Sequence, residues 1–133
     1  MIIIAPRLLK FLAWFMGFSQ TARGLAFGGI FFIARSKEDL VPWLITHETI
    51  HLKQQRDLLA VGALLLHVIE TLIAIFILRL SWHEAYLWCS HEQEAYRNQN
   101  DPEYLKNRKP FSQFRYLFDK KKFSHQDGVV TYL

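Results

Sequence analysis

Residues 58–78 form an apolar run of 21 residues, interrupted only by Gly62, His67, Glu70 and Thr71. No other segment restricts the fold as much. A helix of this length spans the hydrocarbon core of a bilayer, and the same sequence also suits the central helix of a protein core. His67 and Glu70 are three residues apart and so share one helix face. Two ionisable groups near mid-helix are costly in lipid, which favours a helix buried in protein over a membrane span with a polar stripe.

The composition is compatible with both. Of 133 residues, 51% are hydrophobic and 21% charged, enough apolar material for one core and too little charge for a disordered chain. Without an internal repeat, low-complexity tract or long Ser/Gly/Pro linker, residues 1–133 read as a single domain. Cys89 is the only cysteine, which excludes an intramolecular disulfide and a Cys-based structural zinc site and leaves a metal to histidines and carboxylates.

Residues 1–5 are a β-branched run stopped by Pro6, and 7–18 have helical apolar spacing that ends near Gly17. No positive charge precedes that first apolar run, and 19–23 make a poor cleavage site, so no signal peptide is expected. Residues 25–34 predict a strand kinked at Gly28 and Gly29. Ser36, three residues before Asp39 and followed by Pro42, predicts a helix from about 39 to about 57. Helices are further expected over 58–78 and 82–98, and an amphipathic one over 103–118 before a polar tail. The resulting fold class is α+β, predominantly helical, with short N-terminal strands.

Inside the 39–57 helix stand His47, Glu48, Thr49, Ile50 and His51, the pattern HExxH. Random ordering of this composition produces that pattern in roughly 1–2% of chains, so its helical context matters. Residues four apart are separated by about 40° of rotation and one turn of rise, so both imidazoles can converge on one Zn²⁺. Glu48 lies on the same side. There its carboxylate can take a proton from water and deliver it to a leaving group while the metal polarises the scissile carbonyl. A third protein ligand is required, and all three must reach one point at about 2.0–2.2 Å. The candidates are Glu92, Glu94, Glu70 and His91; Glu94 is about 200° around its helix from Glu92, so those two cannot both face the metal.

HExxH followed about forty residues later by Glu92, Gln93, Glu94 and Ala95 resembles the gluzincin branch of the zincin metallopeptidases. It looks most like the membrane-associated peptidase domains of bacterial β-lactam sensor-transducers and of the CAAX-protease and heat-shock-protease group. Residues 51–59, a charged cluster leading into an apolar helix, are similar to the sensor-transducer pattern, and the likeness covers roughly 40–100. The resemblance implies a minimal zincin-like fold, Zn²⁺ held by His47, His51 and Glu92, and Glu48 as general base and then acid in peptide-bond hydrolysis. It also implies a peptide or protein substrate and a location in the bacterial cytoplasm or at the inner membrane; under the resemblance the 25–34 segment either pairs with an extended substrate as an added strand or only covers the helix. One position departs from the pattern: Tyr96 stands where many relatives place an Asp that orients a ligand histidine.

Residues 106–122 carry a net charge of +6 and the remainder −2, with Phe111, Phe114, Tyr116 and Phe118 interleaved among the basic side chains. This segment reads as a solvated helix with one packing stripe, or as a contact with an anionic membrane alongside 58–78. No nucleic-acid motif is present and none is expected to bind. His83 and His125 read as surface or capping residues. Two other functions fit the sequence: a zinc-binding domain without turnover, and a small membrane protein in which HExxH is incidental.

Overall fold

The computed structural model describes residues 1–15 and 22–133, so the predicted helix end near Gly17 lies outside the described residues. The architecture is α+β and predominantly helical, as the sequence implies. Strand β1 (Ile2–Ile4) pairs in parallel with β3 (Phe31–Ala34), and β2 (Gly24–Phe27) lies antiparallel on the other side of β3, at an edge of the sheet. Residues 25–34 are therefore a hairpin and not one kinked strand. Gly28 and Gly29 make the reversal with φ of 66° and 72°, values that suit residues without a Cβ. Helix α1 (Pro6–Phe15) starts on proline, whose missing N–H is not needed in a first turn.

Helix α2 (Pro42–Asp57) starts three residues later than the Ser36 pattern predicts. Ser36 and Asp39 close a separate turn, and Arg23 and Arg35 grip the Asp39 carboxylate at 2.9 and 2.8 Å. Arg35 above all holds that carboxyl well below the usual carboxylate range. Once begun, α2 is covered on both sides. Leu44 and Leu52 pack with Ala26, Phe32 and Ala34 of the sheet, while His47, Glu48, His51 and Gln54 are also buried.

The 58–78 run is not one helix. The backbone turns through left-handed conformations at Leu59 (φ 55°) and Ala60 (φ 45°), after which α3 (Val61–Leu72) continues into a π turn (Ile73–Ile77). The axis bends by 107° between α2 and this unit, and among the described residues no single helix is long and apolar enough to cross a membrane. The orientation of α3 is the reverse of an ordinary amphipathic helix. Its buried residue is Glu70, whereas Leu65, Val68, Ile69 and Leu72 are exposed. Glu70 accepts the backbone N–H of Ser90 (3.0 Å), the Ser90 hydroxyl (2.6 Å) and the Lys120 ammonium (2.6 Å).

Residues 82–98 divide into α4 (Trp82–Trp88), opened by a Ser81–Glu84 capping box, and α5 (Ser90–Asn98). The division falls at Cys89, whose ψ of 140° is not helical. The amphipathic helix expected over 103–118 does not form. Only α6 (Tyr104–Asn107) and a 3₁₀ turn (Ser112–Tyr116) occur there, separated by Pro110 and by Arg108, which turns inward. The expected polar tail is a hairpin of β4 (Phe123–Gln126) and β5 (Val129–Tyr132), turning at Asp127 (φ 45°) and Gly128 (φ 88°).

Two charges of the basic segment are thus internal counter-ions, Arg108 for Glu94 and Asp57 and Lys120 for Glu70. Glu70→Ala should lower stability by about 3 kcal/mol, read as a lower urea midpoint at unchanged slope, because a largely buried ammonium loses its partner. Adding Lys120→Met should recover part of that loss.

Candidate metal centre

α2 carries His47 and His51 one turn apart, and the first turn of α5 brings Glu92 against them. His47 Nε2 lies 3.1 Å from His51 Nε2 and 3.4 Å from Glu92 Oε2, and His51 Nε2 lies 3.3 Å from Glu92 Oε1. Ligand atoms about 2.0–2.1 Å from a tetrahedral ion stand about 3.4 Å apart, so the donor set fits zinc in type and in spacing. Glu92 Oε2 is also buried without a hydrogen-bond partner, which a cation would satisfy.

The protonation of both histidines follows from their outer contacts. Gln54 Nε2 donates to Glu94 Oε2 (2.8 Å) and to the His91 carbonyl (3.1 Å), so Gln54 Oε1 faces His51 Nδ1 at 2.8 Å and must accept its proton. Likewise Gln99 Nε2 donates to the Gly128 carbonyl (3.1 Å), and Gln99 Oε1 accepts from His47 Nδ1 (2.9 Å). With Nδ1 carrying a proton, each ring directs its Nε2 at the same point. Two ring nitrogens facing each other at 3.1 Å require a cation, metal or proton, between them.

The rival ligands are engaged elsewhere. Glu94 is fully buried and accepts from Arg108 (2.6 Å), Tyr104 (2.8 Å) and Gln54, on the far side of α5 from Glu92. Glu70 is held by Ser90 and Lys120. His91 lies beside the cluster, with Nε2 3.3 Å from Glu92 Oε1. Tyr96 does not supply the orienting contact that an Asp would. Its ring packs edge-on against His47, with centroids 4.5 Å apart, while Gln99 and Gln54 orient the two histidines.

Glu48 points towards β2, where the Ala26 N–H donates to its carboxylate. The sheet register explains this: Arg35 N–H bonds the Arg23 carbonyl at 3.0 Å, so alternate residues of β2, Ala26 included, turn their amides away from β3. Gly24 allows the close approach, since a Cβ there would meet Phe32 Cε2 at 2.5 Å and Glu48 Cγ at 3.5 Å. Burial raises the Glu48 pKa against the opposing effect of His47 and His51. For Glu92 burial also acts upward, but His51, His47 and His91 outweigh it and hold the carboxyl well below its ordinary value.

These residues line a cleft of about 840 Å³ that also contains His67, His83, His91 and His125, so all six histidines of the chain face it. Leu9 and Ala13 of α1 and Val61 and Leu64 of α3 form apolar walls. The sequence reading missed Gln54, Gln99 and Tyr86, whose phenol hydrogen-bonds Glu92. Gln54 was legible, one turn beyond His51; Gln99 and its Gly128 partner carry no local signal. No family model matches the chain, no curated protein matches its sequence and no solved structure matches its fold.

Burial pulls the His51 pKa down, but Glu92, Glu48 and Gln54 together outweigh it and hold the group up to about 9. A raised pKa contributes stability that is complete below the unfolded value of 6.5 and is lost as pH rises through about 9. Chelator-treated protein should therefore lose stability across that interval in denaturant titrations, and His51→Gln should flatten the slope. A divalent ion held by this triad should bind more tightly over the same interval, because the competing proton is leaving.

Proposed function

We propose that this chain is a zinc-dependent metallopeptidase acting on peptide or protein substrates at a membrane surface. The observation that carries the catalytic part is the convergence of His47, His51 and Glu92 on one point with the Glu48 carboxyl buried beside them, and the two carboxyls are pushed in opposite directions. Glu92 is held as an anion, which suits a ligand, while Glu48 has a raised proton affinity, which suits an acid–base group. His47, His51 and Glu92 would hold the ion. When bound, zinc supplies a Lewis acid that polarises a carbonyl and acidifies water.

The remaining work belongs to the chain. Glu48 takes the proton of the attacking water and hands it to the leaving amine. β2 is the sheet edge beside α2, and an extended peptide adding to it runs past Glu48. Such a peptide takes over the Ala26 N–H that Glu48 now accepts, which frees the carboxylate for proton transfer.

The membrane part rests on two apolar surfaces. α1 exposes Leu8, Phe11, Trp14 and Phe15, α3 and its π turn expose Leu65, Ile69, Phe76 and Ile77, and both helices also line the cleft. The exposed charges on α1 and directly after the π turn are Arg7, Lys10 and Arg79, all basic. Apolar faces bordered by cations match an interface with anionic headgroups.

With casein as a general protein substrate, Glu48→Gln should lower kcat by at least about 10²-fold and leave the zinc content unchanged. Zinc retained with no turnover in either form would leave a zinc-holding domain without catalysis; absence of stoichiometric zinc would sink the metal reading altogether. In flotation, the protein should rise with vesicles containing phosphatidylglycerol and less with phosphatidylcholine alone, and Phe76→Asp should weaken both. Protein that stays at the bottom of the gradient with anionic vesicles would remove the membrane part.

A further inference from the structure

Beside the first triad lies a second group of metal-ligating side chains that the proposed reaction does not use. His67 comes from α3, Cys89 from the break between α4 and α5, and His91 from the start of α5. One ligand atom from each lies within 4.8 Å of the others. The break itself makes the grouping: with Cys89 in an extended conformation, α5 starts on a new axis, and the His91 ring meets that of His67 edge-on, centroids 4.8 Å apart. His91 Nδ1 is buried without a hydrogen-bond partner. The Cys89 thiol donates to the Ala85 carbonyl at 3.3 Å and lies 3.6 Å from Thr71 Oγ1, both weak sulfur contacts.

We propose that His67, Cys89 and His91 bind a second, thiophilic divalent ion next to the first site. Two imidazoles and one thiolate select zinc or cobalt(II) over magnesium or calcium, which prefer oxygen. This departs from the sequence expectation of histidine and carboxylate ligands alone: a lone cysteine rules out a cysteine-rich cage but not a two-histidine, one-cysteine set. Binding forms one metal–sulfur bond and breaks the Cys89 S–H bond, with the proton leaving to solvent. His67 and His91 line the same cleft as His47, His51 and Glu92, so the ion enters from that cleft and its open coordination position faces it. Glu92 separates the two triads, with Oε2 towards His47 at 3.4 Å and Oε1 shared between His51 and His91, each at 3.3 Å. The second site does not need the first to be filled.

The test is a cobalt(II) titration of the full chain, stripped of metal and kept reduced, followed by equilibrium dialysis and absorption spectroscopy. The expected result is two equivalents bound, one with a near-ultraviolet thiolate-to-cobalt charge-transfer band. Cys89→Ser should lose that band and one equivalent, and the His47→Gln/His51→Gln double variant should keep the band and lose the other equivalent. If Cys89→Ser does not fold, His67→Asn on the cleft wall should give the same loss. One equivalent without the band, or two retained in Cys89→Ser or in His67→Asn, overturns the second site and leaves the first. One equivalent with the band sustains the second and removes the first; no uptake removes both.

Discussion

The guanidinium of Arg108 bonds Glu94 on α5 at 2.6 Å and Asp57 at the end of α2 at 2.8 Å, and so joins the two helices that carry the candidate ligands. Glu94 has no access to water, and a carboxylate can be kept there only with such a partner and with Tyr104 and Gln54 beside it. The consequence is directional. A carboxylate paired to a guanidinium only accepts, so Gln54 must offer its NH₂, which turns its carbonyl to His51 and fixes which ring nitrogen keeps the proton. The orientation of a candidate ligand atom is thereby set by a charge three side chains away. Gln99 and the Gly128 carbonyl do the same for His47 with a neutral acceptor, so the two histidines are oriented by independent means.

What the sequence made legible was whatever repeats within one helical turn. The spacing of His47, Glu48 and His51 placed three side chains on one face, and helical phase alone separated Glu92 from Glu94. Both expectations agree with where these side chains lie. The outer contacts were not legible, because Gln99 and Gly128 meet His47 only through folding. Tyr96 stands where the resemblance places an orienting carboxylate, and the histidines are oriented instead by Gln54, one turn from His51, and by Gln99, which no spacing rule links to His47.

The larger departures share a cause. Apolarity in 58–78 read as burial, but there Glu70 is inside and the aliphatic side chains outside, because Ser90 and Lys120 compensate the carboxylate while little protein covers the rest. Charge in 103–118 read as exposure, but Arg108 is inside for the corresponding reason. In both segments pairing overrode hydropathy. The terminal hairpin was overlooked through its polar composition, although Asp127 and Gly128 ahead of Val129, Val130 and Thr131 form a strong local turn-and-strand signal.

That hairpin carries a consequence for synthesis. The carbonyl that orients Gln99, and through it His47, belongs to Gly128, so a nascent chain that has already exposed HExxH and Glu92 still lacks one of the supports of its histidines. By this contact His47 reaches its final orientation only when β4 and β5 have emerged and closed. Order of synthesis and order of assembly therefore differ: the candidate ligands appear first, and the contact that orients His47 follows.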